Sequence, residues 1–593
     1  MNNGFKMFGL LIVLVGCSIT VSLHAYLVGH GINSSLFANF WFPILTMAAL
    51  VYYAVVSFDN KFPLLLIFLF ALTLHLVQPI AQPTDFLWNT DGMFILQLVE
   101  HTKVTGFWTF GYGTGEALWY SFYPLLYIFL SVLSLVSFIS STVVIKYATS
   151  IVNPLVLLTL YTMLNRLFQL DVKTKNLVVF MFSLNPIFHA MGGYADAESY
   201  AMIFYPLILA QALKQSTSYQ VCKRAATIVA ILFLVIASIS HHFTSYNIAF
   251  SLLFPAIFTY LVFRTTALNV RISIMALILP LIWLSYVAYM ILLTHLMGGL
   301  NILNALTSIH TVVGYVRYGS AFTNYPSEFA IQLNWIRNLA LALFVLLGLI
   351  TYKKSKRKAD RHWVALLFCY SAVTFLSLAV VNWEQVKVFS DIRERIVNFA
   401  FFPLAVFSSL GMLRISGEMT PSFPHNPLVK RKIKNRSRRK ALIGLILAVV
   451  IVLVFVPSTI FNAFPRFSYD PTYFPFLSEE FPVAPYEHFA LGRWTYLYVE
   501  SSYSTVFTGS LSAQRYVIGY GFFQGTWSDE VFNATLRGKL FYPDDKIFFV
   551  VNEYNMELPD RFGRKLDTPL LLVLDHRFDR IYDNGVVHLH IST

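Results

Sequence analysis

Apolar runs of about 17 to 23 residues recur along the chain, separated by short basic or turn-rich breaks, the pattern of helices that cross a roughly 30 Å hydrocarbon layer. Thirteen such runs are readable, near 7–28, 39–57, 62–80, 149–166, 177–193, 199–214, 225–240, 246–264, 272–294, 335–352, 363–381, 396–414 and 441–459. The first follows Lys6 and lacks a small-residue cleavage site, so it reads as a retained span rather than a removed leader.

A further run, "LWYSFYPLLYIFLSVLSLVSF" at 118–138, is apolar enough to span, but counting it would move Arg166, Lys173 and Lys175 to the opposite face from the other basic clusters. It is therefore expected to lie along, or dip into, the outer leaflet as an aromatic-rich helix. The alternative is a true span with a miscounted neighbour.

Composition agrees with the pattern: 57% of 593 residues are hydrophobic and 12% are charged, too few polar groups to cover a water-soluble globule. The net charge of +13 is concentrated in "YKKSKRKADRH" (352–362) and "VKRKIKNRSRRK" (429–440), between apolar runs. Such blocks are topology signals that place both loops, and the N-terminus, in the cytoplasm. No basic domain with interleaved aromatics accompanies them, so no nucleic-acid partner is expected. Cys17, Cys222 and Cys369 have neither metal-ligand nor disulfide spacing. Low cysteine use favours a prokaryotic plasma membrane, archaeal in character, over the endoplasmic reticulum.

With that topology, three groups of charged residues share the outer face. The segment 81–118 carries Asp85 and Asp91; "YADAESYAMIFYPL" (194–207) carries Asp196 and Glu198; "VFSDIRERIVNFAFFPLAVF" (388–407) carries Arg393 and Arg395. Asn89, Thr90 or Asp91 can cap a helix with Phe94, Ile95, Leu98 and Val99 on one face. Capping alone is one reading of Asp91. Asp196 and Glu198, two apart beside an apolar span, repel each other and call for a cation, a proton or basic partners, unless they only begin a solvated helix. With Asp91 they would suit a hard divalent metal, Mg²⁺ or Mn²⁺. Arginines at an outer span mouth run against the positive-inside bias and fit a phosphate, to which guanidinium pairs bidentately. Pairing with Asp391 or Glu394 is the plainer alternative. His241 and His242 in "SISHHFTSYN" are possible substrate contacts, although interfacial histidines more often bond water or carbonyls.

Taken together, these motifs resemble the GT-C superfamily of polyprenyl-phosphate-dependent glycosyltransferases, most closely the oligosaccharyltransferase catalytic subunit. Gly106, Phe107 and Trp108 resemble the family's "G-F-aromatic" helix end, "YSFYPLLY" its "YPPLYY" element, "LNPIFHAMGGYADAESYAMIF" its acid-pair loop, and "RERIVNFAFFPLAVFSSLG" its arginine-headed span. The resemblance covers roughly 60–460 at the level of pattern. It implies catalytic or metal-binding roles for Asp91, Asp196 and Glu198, and donor-phosphate binding by Arg395 and, less directly, Arg393. Asp85 could assist Asp91, and Glu328 in "NYPSEFA" is loosely like an acceptor-contacting acid. No "WWDYG" element is present, so the resemblance does not extend to reading Asn-x-Ser/Thr sequons.

The expected fold is an α-helical multi-pass membrane protein of about thirteen transmembrane helices over 1–460, with outer loops at 81–148 and 295–334. A small C-terminal mixed α/β extracytoplasmic domain follows over 461–593, where "KIFFVVNEY" (546–554) reads as a strand and Asp583-Asn584-Gly585 as a hairpin turn. The expected activity is transfer of a sugar or oligosaccharide from a polyprenyl (dolichyl) phosphate or pyrophosphate to an exported protein, lipid or glycan. A non-catalytic polyprenyl-lipid-binding or transporting membrane protein is the alternative. Ion-coupled transport would put acids at mid-membrane depth, and these lie at span ends.

Overall fold

The computed structural model describes residues 3–29, 37–81, 90–110, 121–168, 170–192, 197–213, 220–264, 268–297, 328–353, 388–416 and 433–463, and the strand segments 505–508, 547–552, 579–583 and 587–591. Among these, eight helices are long and apolar enough to cross a membrane: Gly4–Leu27, Phe40–Ser57, Phe62–Ile80, Ser141–Phe168, Thr244–Val262, Val270–Met290, Gln332–Tyr352 and Leu442–Ile460. Leu125–Ser137, Arg224–Ser240 and Phe399–Ile415 are apolar but shorter. The expected span at 363–381 and most of the outer segment 295–334 lie outside the described residues.

In chain order the helices are α1 (Asn3–Gly29), α2 (Phe37–Ser57), α3 (Phe62–Ile80), α4 (Thr90–Thr105), α5 (Leu125–Ser137), α6 (Ser141–Val152) and α7 (Leu155–Met163), the last continued by a π-helical turn, Leu164–Phe168. Then come α8 (Val172–Phe182), α9 (Pro186–Gly192), α10 (Ala197–Met202), α11 (Phe204–Ala212), α12 (Gln220–Ser240), α13 (His242–Phe263) and α14 (Val270–Met297). The set ends with α15 (Glu328–Lys353), α16 (Val388–Ile415), α17 (Ile433–Val450), a second π turn at Ile451–Phe455 and α18 (Val456–Ala463).

Local chemistry sets several of these ends. Asp171 caps α8, its carboxylate accepting from the Thr174 amide at 2.7 Å. The run read as one span at 177–193 breaks after Phe182, because Pro186 can open a helix but cannot donate within one; Ser183 to Asn185 form the joint. At the end of α5, Phe138 takes a left-handed conformation (φ 59°) and is 95% exposed.

Thirteen residues make α5 only about 20 Å long, short of the roughly 30 Å hydrocarbon thickness. Its buried side, Leu126, Tyr127 and Leu130, packs with Ile95, Leu98 and Val99 of α4 and with Val144 and Ile145 of α6. Val132, Leu135 and Val136 are exposed, so the helix has the two-sided character expected of a segment lying at a membrane surface.

A chain of contacts joins one face of the bundle. Asn60 Nδ2 meets Met7 Sδ at 3.9 Å, and Asn176 Nδ2 donates to the Asn60 carbonyl. Lys175 Nζ donates to Asn165 Oδ1, Arg166 to Gln211 Oε1, and the Asn269 amide to the Ala212 carbonyl. Arg414 donates to Thr351 Oγ1, and Tyr352 lies 6.3 Å from Phe168, centroid to centroid. Lys6, Lys61, Arg166, Lys173, Lys175, Arg271 and Arg414 therefore share this basic face. The opposite face is joined by Tyr147 to the Pro79 carbonyl, Trp283 Nε1 to the Phe122 carbonyl, Ser458 to Asn334 at 2.5 Å, and Thr459 to the Leu184 carbonyl.

In the C-terminal region four strands, β1 (Thr505–Thr508), β2 (Ile547–Asn552), β3 (Asp579–Asp583) and β4 (Val587–Ile591), form a sheet of order β1-β2-β4-β3. β1 and β2 are parallel; β4 is antiparallel to both β2 and β3, with Val550 opposite Leu589. β2 falls on the strand read at 546–554, and β3 and β4 flank the expected hairpin turn.

Candidate functional site at the face opposite the basic clusters

The site is built from helix ends. Asp91 is the second residue of α4, whose apolar side packs in the same cluster as α5 and α6. Ala197 of α10 belongs to that cluster too, with Tyr200 against its edge, stacked on Phe129 at 5.5 Å. The helix that carries Asp91 in its first turn and the helix that carries Glu198 therefore meet on one face, joined through α5.

Glu198 has no exposed surface. A carboxylate withdrawn from water is tolerated only where its charge is compensated or neutralised. Asp196 and Asp85 lie outside the described residues. Among the described residues no three His, Cys, Asp or Glu side chains gather as a metal-binding group.

The arginine-bearing helix approaches from another side. Phe399 of α16 lies 5.1 Å from Tyr205, and Phe402 lies 5.2 Å from Tyr205 and 4.4 Å from Phe182. Arg395 stands one turn, about 6 Å, beyond Phe399 toward the same end, and Glu198 is seven residues before Tyr205, about 10 Å along a helix. Arg393, two residues further out, and Glu328, the first residue of α15, also stand at this end.

His241 is the N-cap of α13, its Nδ1 accepting from the Thr244 amide, and its ring lies 6.5 Å from that of Tyr123. The cap is the plainer of the two readings of this histidine. His242 opens α13 directly after it. The Tyr123 hydroxyl is pushed up by burial, with Tyr246 adding to the shift, so the phenol stays protonated.

Trp108, Phe110, Phe122, Trp283 and Tyr286 form an aromatic cluster beside Tyr123, with Phe110 3.7 Å from Trp108 and 5.0 Å from Tyr286. Trp108 Nε1 donates to the Ser121 carbonyl at 2.8 Å. Trp283 and Tyr286 come from the middle of an apolar run, where the sequence marks neither out; only Trp108 and the "YSFYPLLY" stretch carried a signal.

Two modest effects on α4 are measurable. Lys103 pairs with Glu100 at 3.1 Å on a partly exposed surface and also donates to Ser141. Replacing Glu100 with Gln is expected to cost less than about 1 kcal/mol in thermal unfolding. His101, bonded to Thr109 Oγ1 at 3.0 Å, is held below the ordinary histidine value by burial. The unfolded chain then binds this proton more readily, so stability falls as pH drops through the range just below 6.5 and is restored above it. The loss of melting temperature between pH 7.5 and 5.5 should be smaller in His101→Gln.

No family model matches the sequence, and no curated protein matches it. The fold is similar to that of ArnT from Cupriavidus metallidurans bound to undecaprenyl phosphate, with TM-score 0.50 and 11% identity, covering 90% of this chain and 98% of that one. It is similar to the Archaeoglobus fulgidus oligosaccharyltransferase in the apo form, with TM-score 0.51 and 12% identity over 94% of this chain and 75% of that chain. The arabinofuranosyltransferase AftD from Mycobacteria gives TM-score 0.51 and 12% identity over 90% of this chain, which covers 40% of that larger one. This chain is a multi-pass membrane protein whose fold is similar to that of these three proteins.

Proposed function

We propose that the protein is an inverting glycosyltransferase that takes a sugar or oligosaccharide from a polyprenyl phosphate or pyrophosphate and passes it to an exported protein, lipid or glycan. One observation supports this reading most: a single apolar cluster brings the Asp91 helix and the Glu198 helix together at the face where the Arg395 end of α16 also arrives. With the basic face in the cytoplasm, that site lies at the outer surface of a prokaryotic, archaeal-type plasma membrane. Residues 461–593 then lie on the extracytoplasmic side.

In this scheme Asp91 draws the proton from the acceptor's nucleophile as it attacks the anomeric carbon. The bond from that carbon to the phosphate oxygen breaks, the configuration inverts, and the polyprenyl phosphate, or pyrophosphate for a pyrophosphate donor, leaves with its charge met by Arg395, and Arg393 beside it. Asp85, His241, His242 and Glu328 stand as further substrate contacts. Asp91, Asp196 and Glu198 offer only carboxylate oxygens, the donor set of a hard cation. Mg²⁺ or Mn²⁺ held there would neutralise the phosphate charge of a pyrophosphate donor. With a monophosphate donor the three residues would orient the acceptor and the metal would be dispensable.

The test is reconstitution of the purified protein in liposomes with a lipid extract containing polyprenyl-linked sugars, followed by mass spectrometry of released polyprenyl phosphate and pyrophosphate. Release by the wild type and not by Glu198→Gln supports the transferase. Tight binding of polyprenyl phosphate without release by either protein would instead mark a lipid-binding or transporting protein.

A further inference from the structure

Beside the end of α9, the interior holds a histidine that the transfer scheme does not use. His75 lies on α3, five residues before the helix ends at Ile80, and has no exposed surface. Its ring packs on Phe188 at 4.7 Å and edge-on to His189 at 5.0 Å, centroid to centroid. Although the Ser150 backbone is close, neither ring nitrogen makes a hydrogen bond of ordinary geometry with a protein group.

The surroundings single out one residue of the neighbouring helix. Gly192, the last residue of α9, sits so close to the His75 ring that a side chain there would overlap it. The Gly192 carbonyl accepts a long bond, 3.4 Å, from Asn153 Nδ2, while the buried Asn153 Oδ1 has no protein partner. Beside the His75 nitrogen that the Ser150 backbone approaches, the other ring nitrogen and an amide oxygen thus lie around one glycine without hydrogen bonds of ordinary geometry. Burying polar atoms in this way lowers stability, and a phenylalanine would fill the same space without that loss. Atoms so grouped are the usual partners of a buried water, which takes two to four hydrogen bonds.

We infer that His75 is a positioning residue: with Asn153 it holds an ordered water against Gly192, and this node fixes the end of α9, four residues before Asp196 and six before Glu198. The effect on chemistry rests on those acids being the site; the node itself does not.

Full-length protein in nanodiscs provides the test, through hydrogen exchange of residues 190–202 and thermal unfolding of His75→Phe and His75→Gln. His75→Phe should melt no lower than the wild type yet raise exchange of this segment by about tenfold or more, whereas His75→Gln, which keeps a donor and an acceptor, should stay within about threefold. Exchange in His75→Phe within about twofold of the wild type would mean that the ring only packs, and the inference falls. If His75→Phe does not fold, an experimental structure of the wild type decides: water bonded to both His75 and Asn153 supports the node, and a dry contact overturns it. No donor or acceptor enters these measurements, so they fail independently of the transferase reading.

Discussion

Asp91→Asn should lower sugar transfer by a factor of about 10² to 10⁴, the usual loss when a catalytic base is removed, while leaving the melting temperature nearly unchanged. The asymmetry follows from where Asp91 sits. As the second residue of a sixteen-residue helix whose docking is carried by Ile95, Leu98 and Val99, it contributes little to holding α4 in place. An amide can still lie near the helix N-terminus, so a simple cap loses at most about 1 kcal/mol. If Asp91→Asn kept full turnover in the liposome assay, the acid would be only a cap, and the catalytic role would pass to Asp85. If turnover fell together with the melting temperature, the loss would be one of folding and would say nothing about chemistry.

The second large effect is structural. A Cβ at Gly348 would fall inside the contact radius of the Phe407 carbonyl, and one at Gly411 inside that of Phe344. α15 and α16 thus touch backbone to backbone, a close approach that in lipid supplies much of the association between helices. Gly348→Leu and Gly411→Leu should each lower stability by about 3 kcal/mol, the upper end for overpacking, since a backbone carbonyl cannot rotate aside as a side chain can. Because both substitutions separate the same crossing, the double variant should cost less than the sum of the two. Thermal unfolding in detergent measures all three. Full additivity would show that the two glycines do not share one crossing.

Much of this was legible in the sequence. The alternation of apolar runs with basic breaks located the helices, and the mismatch between the 118–138 run and the cations after it pointed to a surface helix; α5, at thirteen residues, is shorter than a span. The acids and arginines stood out because they are rare in so apolar a chain, and helix ends place Asp91, Glu198 and Arg395 toward one face. Breaks inside helices were less visible. The run 199–214 has no strong punctuation where the chain steps from α10 to α11 at Ile203, and the packing of Tyr205 against α16 decides it. His75, Asn153 and Gly192 left no trace at all. A single polar residue in an apolar run has no periodicity, and its meaning depends on other helices far off in the sequence. In the C-terminal region the β3–β4 hairpin was local and readable, but the parallel pairing of β1 with β2 joins segments about forty residues apart that no local pattern connects.

The basic face has a consequence for how the chain enters the membrane. Contacts running from Met7 through Asn60, Asn176 and Gln211 to Asn269 tie its cations to one side. Each elementary charge carried against a 100 mV membrane potential costs about 2.3 kcal/mol. With that face in the cytoplasm, as proposed, inserting a helix pair that carries one of these cations upside down would drag the charge outward and part it from its neighbours. On that orientation an energised membrane opposes each inverted insertion of such a pair, and a cell whose potential has collapsed should accumulate misoriented, protease-sensitive copies.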